Sequence, residues 1–86
     1  MKIKDGYILK EVAGEYVVVP VCDPHFKAII TTNETGAFIF EKMKENIDLC
    51  EIAKLLTEQY EIDMQTASSD VKRFAQLLLK AGLADE

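Results

Sequence analysis

The spacing of apolar residues changes once along the chain, at Asn33, and this change restricts the fold more than any other feature. Before it lie three short runs rich in β-branched and aromatic residues, over 7–12, 16–21 and 27–32, a composition typical of strands. After it, apolar residues recur every three or four positions, which indicates helices. Strands followed by helices predict an α+β fold, with a three-stranded antiparallel β-meander preceding three α-helices.

Turn-forming residues separate the predicted strands. The first link, "AGE", contains Gly14, which can adopt a positive φ. Pro20 marks the end of the second strand because it has no N–H to donate to a sheet. The second link, "CDPHF", begins a turn at its Asp-Pro pair. The meander therefore shields its middle strand and leaves the first and third at its edges.

Capping residues divide the second half of the chain into three helices. Asn33 and Asp63 are suitable N-caps for the first and third helices. Asp48, with Glu51 three residues later, is a variant of the capping box that opens the second, and Gly82 ends the third. The apolar stripes expected to face the core are Gly36, Ile39, Phe40, Met43 and Ile47; Leu49, Ile52, Ala53, Leu56 and Tyr60; and Ala67, Val71, Phe74, Leu78 and Ala81. Gly36 is costly inside a helix, so we expect close backbone packing there.

Size and charge restrict the classes of protein that fit. The 86 residues predict a single domain spanning 1–86. No apolar run is long enough for a membrane span or a secretion signal, so we expect a cytoplasmic protein with no membrane partner. The formal net charge is −5, and Arg73 is the single arginine. This balance argues against a nucleic-acid surface, which needs clustered positive charge.

The residues that carry catalytic or metal chemistry are sparse. Cys22 and His25 stand three positions apart, and two such ligands fall short of the four that zinc sites usually use. Cys50 falls within an apolar helical pattern, so we expect it to be a small core residue. The glycines are isolated, and no phosphate-binding loop is present. The sequence therefore predicts a binding module that is not an enzyme and uses neither metal nor cofactor.

The third predicted strand lies at an edge without the usual protection. Natural edge strands are protected from pairing with other chains by Lys, Pro, bulges or a covering element. After Lys27 this strand contains neither Lys nor Pro. An open edge can accept an extended peptide, with backbone hydrogen bonds giving affinity and side-chain pockets giving specificity. The alternatives are that a chain terminus covers the edge, or that it pairs with a second copy to form a homodimer.

Apolar residues outside the core stripes suggest a groove beside that edge. On the third helix, Leu77 lies on one flank near Asp70 and Arg73, and the alternative flank carries Lys72 and Leu79. Isolated exposed apolar residues need no explanation, but a groove between a helix flank and an open strand would need them. Phe38, on the opposite side of the first helix, is expected to cover a sheet edge or an oligomer contact.

Two segments resemble a known family. "TTNETGAFIFEKM" resembles the Asn-x-Thr-Gly-x-x-Ile-(Trp/Phe) segment of the coenzyme PQQ synthesis protein D (PqqD) family, and "DVKRFAQLLLKAGL" resembles its closing Asp-Val-x-x-Phe-Leu-x-x-Leu-x-x-x-Gly-Leu, with Ala75 in place of the usual leucine. The first match rests on Asn33, Thr35, Gly36, Ile39 and Phe40, and the second on Asp70, Val71, Phe74, Leu78, Gly82 and Leu83. The resemblance covers essentially the whole chain, and most of these residues serve packing and turns.

The resemblance implies a winged-helix-like domain of the RiPP recognition element type, RiPPs being ribosomally made and post-translationally modified peptides. Such domains act as peptide chaperones. They bind the leader segment of a precursor peptide as an added strand and present it to a modifying enzyme, often a radical SAM protein. PQQ biosynthesis gives the family its name, but another peptide modification is equally compatible with the resemblance.

The expected peptide-binding residues follow from the edge, the groove and the resemblance together. They are the backbones of Ala28, Ile29, Ile30, Thr31 and Thr32, the apolar wall of Phe74 and Leu77, and the rim residues Asp70, Arg73 and Lys80. Only one of Ile29 and Ile30 can face the groove, since alternate residues face opposite sides of a sheet. The alternative function is a winged-helix DNA-binding transcription regulator, and a purely oligomerising domain is a third.

Overall fold

The computed structural model describes residues 2–21 and 30–85. Its elements, in chain order, are β1 (Lys2–Ile3), β2 (Tyr7–Val12), β3 (Glu15–Pro20), β4 (Ile30–Thr32), α1 (Glu34–Lys44), α2 (Leu49–Tyr60), α3 (Met64–Lys80) and β5 (Ala84–Asp85). The predicted α+β order of an antiparallel meander followed by three helices is confirmed. The predicted third strand is β4, and residues 27–29 of that prediction lie outside the described part of the chain.

The sheet has the order β2-β3-β4, so the middle strand is shielded as expected. β2 and β3 form a hairpin in which Val12 pairs with Glu15 and Tyr7 with Pro20. Its two turn residues have positive φ, 53° at Ala13 and 84° at Gly14. Two successive positive φ angles define a type I′ turn, whose twist matches that of the flanking strands.

One face of the sheet packs on the helices to form the core. Val18 at the centre of β3 is fully buried, and its neighbour Ile30 in β4 is 5% exposed. The largest fully buried side chains are Phe40, Ile39, Ile52, Leu56, Leu78, Leu83, Val18 and Val71. They come from the sheet, all three helices and the segment after α3, so a single core holds these elements together.

Local hydrogen bonds explain where two of the helices begin. The Asn33 side chain accepts a hydrogen bond from the Gly36 N–H at 2.9 Å, and the Asp63 side chain accepts one from the Thr66 N–H at 3.0 Å. Each bond satisfies an N–H that has no partner inside its helix. Asp48 also precedes its helix in an extended conformation, but its side chain makes no capping hydrogen bond.

The chain reverses direction after α3 and forms a second, small sheet. The Leu83 N–H donates to the Leu78 carbonyl at 2.9 Å, and the Gly82 N–H donates to the Leu79 carbonyl at 3.1 Å. This is the Schellman pattern, which requires a left-handed residue, here Gly82 with φ 78°. The reversal directs β5 back to pair with β1. The sequence did not predict this pair, because two-residue strands are too short to show a period.

Two expectations about burial are wrong. Cys50 is exposed, because it follows Leu49 and therefore projects from α2 about 100° away from the core stripe. Ala81 is exposed as well, since α3 ends at Lys80 and Ala81 serves as its C-cap. Cys22 and His25 lie outside the described residues. No described helix has both the length and the apolar content needed to cross a membrane.

Candidate functional site

A groove opens where the end of β4 meets the start of α1 and one flank of α3. Its cavity measures about 230 Å³. Its lining residues are Thr32, Asn33, Thr35, Gly36, Ile39, Asp70, Arg73, Phe74 and Leu77. The last residue of β4 therefore lies near the helix flank that the sequence suggested as its partner.

The α3 side of the groove consists of four residues at helical spacing. Asp70, Arg73, Phe74 and Leu77 occupy positions i, i+3, i+4 and i+7, which form one continuous stripe. Phe74 is buried and forms the floor, whereas Leu77 is 45% exposed and forms an apolar wall. Arg73 and the half-buried Asp70 add one positive and one negative charge at one end. This stripe could contact a ligand that carries an apolar side chain next to a polar one.

The strand side of the groove depends on a close contact between Gly36 and Thr32. A Cβ placed on Gly36 would lie 2.9 Å from the Thr32 Cβ, closer than real side chains approach. The first turn of α1 can therefore sit directly against the strand only because residue 36 is glycine. This agrees with the close backbone packing expected at Gly36 from the sequence.

The remaining predicted site residues are placed as follows. Thr31 is exposed on β4, whereas the Ile30 side chain belongs to the buried core and does not line the groove. Lys80 is exposed, one turn beyond Leu77, and is not among the lining residues. Ala28 and Ile29 lie outside the described part of the chain. The backbone roles predicted for 28–32 stay predictions.

Sequence reasoning missed the contribution of α1 to the groove. Asn33, Thr35 and Ile39 line it together with the α3 residues. The Asn33 carboxamide oxygen accepts hydrogen bonds from the Thr35 hydroxyl and the Gly36 N–H, each at 2.9 Å. The available signal was the N-cap itself, since a helix that starts directly after a strand presents its first turn to that strand's end.

The other flank of α3 faces a different cavity. Lys72 lines a space of about 550 Å³ together with Val71, Ser68 and the segment that joins α1 to α2. Cys50 also lines it. This cavity is larger than the groove, but no residue of β4 belongs to it. The two flanks considered from the sequence are therefore distinguishable, and the one carrying Asp70, Arg73 and Leu77 adjoins the strand.

Phe38 contributes to neither cavity. Its ring meets that of Tyr60 edge-on, with centroids 5.7 Å apart, and the Lys42 ammonium lies 5.4 Å from the Phe38 ring centroid. Partial burial, followed by the nearby Glu34 charge, raises the pKa of Tyr60. Phe38 thus joins α1 to the end of α2, and its expected role at a sheet edge or an oligomer contact stays a prediction. In residues 2–21 and 30–85, no three His, Cys, Asp or Glu side chains converge to hold a metal ion.

These features define a class of protein: a small winged-helix-like α+β domain with a strand edge beside an apolar helix groove. The chain belongs to the coenzyme PQQ synthesis protein D (PqqD) family, whose family model matches residues 15–84. This match confirms the resemblance seen in the two sequence segments. No curated protein matches the chain.

Two solved structures share the fold. One is described as TbiB1 in complex with the TbiA(beta) leader peptide, and it matches with a TM-score of 0.73 and 22% sequence identity over 99% of this chain and 100% of that one. The other is described as lasso peptide synthetase B1 complexed with the leader peptide. It matches with a TM-score of 0.73 and 18% identity over 99% of this chain and 96% of that one.

Proposed function

We propose that this protein binds the leader segment of a ribosomally synthesised precursor peptide, which adds as a strand to β4. The observation that carries the proposal is the groove itself, which joins the end of an edge strand to the apolar flank of α3. A strand laid along β4 would gain backbone hydrogen bonds and place alternate side chains toward α3. The two solved structures named above are each described as a complex with a leader peptide.

Each part of the site has a separate task in this proposal. The backbone of residues 28–32 would pair with the leader. Phe74 and Leu77 would contact one inward-facing apolar side chain. Asp70 and Arg73, with Lys80 further along the helix, would select the charge of the residues beside it. Burial of an exposed leucine such as Leu77 supplies a useful part of the binding free energy, about 25 cal/mol per Å² of apolar surface.

We assign the chemical step to a separate enzyme. In this proposal the domain is a non-catalytic chaperone that holds the precursor while a modifying enzyme of the radical SAM type acts on its core region. We place this step in the cytoplasm, where ribosomes release the precursor. Binding of the leader rather than the core would leave the modified residues free, since the two segments are separate parts of one peptide.

An amide NMR titration would test the proposal. The probe is a synthetic copy of the leader of a candidate precursor, which is to be sought among the short reading frames near this protein's gene. We expect shifts concentrated in β4 and in residues 70–80, with few in residues 49–60 of α2. Absence of shifts at high peptide excess would count against leader binding. A molecular mass that rises with protein concentration, and falls when peptide is added, would show that a homodimer uses the same edge.

The DNA-binding alternative gains no support from the fold comparisons, and the charges on α3 explain why it is weak. A recognition helix needs several basic residues on one face. Of the three basic residues of α3, Lys72 lines the large cavity, Arg73 lines the groove, and Lys80 lies at the last position of the helix. The three therefore do not form one basic cluster. A parallel titration with duplex DNA at low salt would separate this function from peptide binding.

A further inference from the structure

One hydrogen bond outside the regular ladder fixes the direction of the backbone groups in β3. The Val21 N–H donates to the Gly6 carbonyl at 2.8 Å, on the β2 side of the sheet. Successive residues of a strand direct their backbone groups to opposite neighbours. The odd-numbered residues of β3 therefore face β2, and Tyr16, Val18 and Pro20 face β4. The position of Pro20 is consistent with this, since a proline opposite β2 would interrupt the hairpin ladder.

The same alternation applies to β4. Thr32 pairs with Tyr16, and Ile30 pairs with Val18. Because Tyr16 and Val18 direct their N–H and C=O groups toward β4, these are the hydrogen-bonded pairs, and Ile30 and Thr32 direct theirs back to β3. Thr31 lies between them, so both of its backbone groups point away from the sheet. Among the described residues of β4 it alone presents a donor and an acceptor to the sheet edge, which no other described strand pairs with.

Side-chain directions complete the geometry. Ile30 faces the core and Thr31 is exposed on the other face of the sheet. Residues paired across strands share a face. A leader residue opposite Thr31 would therefore direct its side chain away from α3. The leader residues before and after it would face the helices, and the one beside Thr32 would enter the 230 Å³ cavity at Phe74.

We infer that Thr31 is the residue of β4 at which the leader forms its paired backbone hydrogen bonds, and that leader specificity resides in the side chains flanking the residue opposite Thr31. This inference rests on the proposed function and adds to it the residue-by-residue pairing of the leader with β4. The substrate class is an extended peptide in which an apolar side chain next to the paired residue fills the cavity. The paired residue itself is free to vary.

Substitution of Thr31 tests the protein side of the inference. Thr31→Pro removes an N–H that β3 does not use, and proline is accepted on an edge strand whose N–H faces solvent. We expect Thr31→Pro to keep its thermal midpoint and weaken binding of the synthetic leader by about tenfold or more, because a leader carbonyl loses its donor. Thr31→Ala, which keeps the backbone, should bind within about twofold of the original chain. Equal binding by Thr31→Pro would overturn the inference.

Modified leaders test the same register without altering the protein, which matters if Thr31→Pro fails to fold. Each leader residue is changed in two ways, by N-methylation and by replacement with alanine. At the residue opposite Thr31, N-methylation should abolish binding and alanine should be tolerated. At the leader residue that fills the cavity, N-methylation should be tolerated and alanine should abolish binding. If the unmodified leader binds, but N-methylation and alanine replacement weaken binding at the same leader positions, the proposed pairing of the leader with Thr31 is wrong. If the unmodified leader does not bind, the proposed function fails instead.

Discussion

The Cα of Gly36 faces the side chain of Thr32 so closely that a Cβ at residue 36 would lie 2.9 Å from the Thr32 Cβ and 3.1 Å from its Cγ2. This contact brings the first turn of α1 against the last residue of β4. Because both residues also line the groove, the shape of the candidate binding site depends on a position where an added side chain would clash with Thr32.

Gly36→Ala should destabilise the domain by up to about 2 kcal/mol. Alanine gains up to about 1 kcal/mol in helix propensity over glycine, but the clash with Thr32 is an overpacking defect that costs about 1–3 kcal/mol. Chemical denaturation would measure the difference. A double variant with Thr32→Gly removes the atoms that clash, so its destabilisation should be smaller than the sum of the two single effects. If the destabilisation of the double variant equals the sum of the two single effects, the contact between residues 36 and 32 is not the cause of the destabilisation.

The hairpin turn offers a stabilising substitution. Ala13 has φ 53°, a left-handed conformation that asparagine adopts more readily than alanine, and Gly14 follows it. Asn-Gly is the preferred pair for a type I′ turn, so Ala13→Asn should raise the free energy of unfolding by about 0.5–1 kcal/mol. Ala13→Val is the matched control and should lower it, since β-branched residues fit this conformation poorly. Identical stabilities for the two variants would contradict the turn assignment.

The capping hydrogen bonds of Asp63 should make the stability of the protein decrease at acid pH. Hydrogen bonding by the Thr66 hydroxyl, and then by its backbone N–H, holds the pKa of Asp63 below its usual value of 3.8. A carboxyl group with a lowered folded pKa stabilises the fold fully above its unfolded pKa. That contribution is lost as the pH falls through the folded pKa. Thermal unfolding followed over the acid range should show the loss.

The control for that experiment is Asp63→Asn, which keeps a capping oxygen but does not titrate. It should have a weaker dependence of the thermal midpoint on acid than the original chain. Asp70→Asn, a substitution on the same helix away from the cap, should leave the Asp63 contribution in place. An acid dependence that Asp63→Asn does not reduce would assign the effect to other carboxyl groups.

Leu77 and Leu78 are neighbours in sequence with opposite roles. Leu77 is 45% exposed in the groove, whereas Leu78 is fully buried. Leu77→Ala should change stability by no more than about 0.5 kcal/mol and weaken leader binding by about tenfold through loss of apolar contact. Leu78→Ala should cost about 2–5 kcal/mol of stability. Calorimetric titration and denaturation of both variants would test this division, and a Leu77→Ala variant with normal leader affinity would place the leader elsewhere.

Arg73 and Lys72 provide a pair of equal charge changes on opposite flanks of α3. Arg73→Ala should weaken leader binding by about two- to fivefold, the range expected for an exposed charged contact, and the effect should shrink as salt is added. Lys72→Ala lowers the net charge by the same amount but alters the other cavity, so it should leave the affinity unchanged. Equal losses for both variants would indicate general electrostatic attraction rather than a contact in the groove.

The parts of the fold that the sequence predicts well are those set by local interactions. Asn33, Asp63 and Gly82 were identified as helix ends because each satisfies backbone groups within a few residues of itself. The flank of α3 that adjoins the strand was a choice between two, and the structure places Asp70, Arg73 and Leu77 beside Thr32. Whether these residues bind a peptide stays a prediction.

The features that escaped prediction depend on contacts distant in sequence. The three successive valines of β3 show no alternation of apolar and polar residues, so the sequence does not indicate which of them is buried. In the structure Val18 is fully buried, whereas Val17 and Val19 are half-buried. The exposure of Cys50 depends on which side of α2 meets α3. The pairing of β1 with β5 joins residues more than eighty positions apart, Lys2 with Asp85 and Ile3 with Ala84, and no local pattern reports such a contact.

That pairing determines how the domain would respond to mechanical tension. Lys2 and Asp85 lie opposite each other in an antiparallel pair, so a force that pulls the chain outward from these two residues separates β1 from β5 one hydrogen bond at a time. The Lys4 N–H to Leu83 carbonyl bond, 2.8 Å long, would be next to break. The unzipping would stop at Leu83, which is fully buried. Because Ile3 and Ala84 belong to the same buried core, we expect each step of this separation to expose apolar surface.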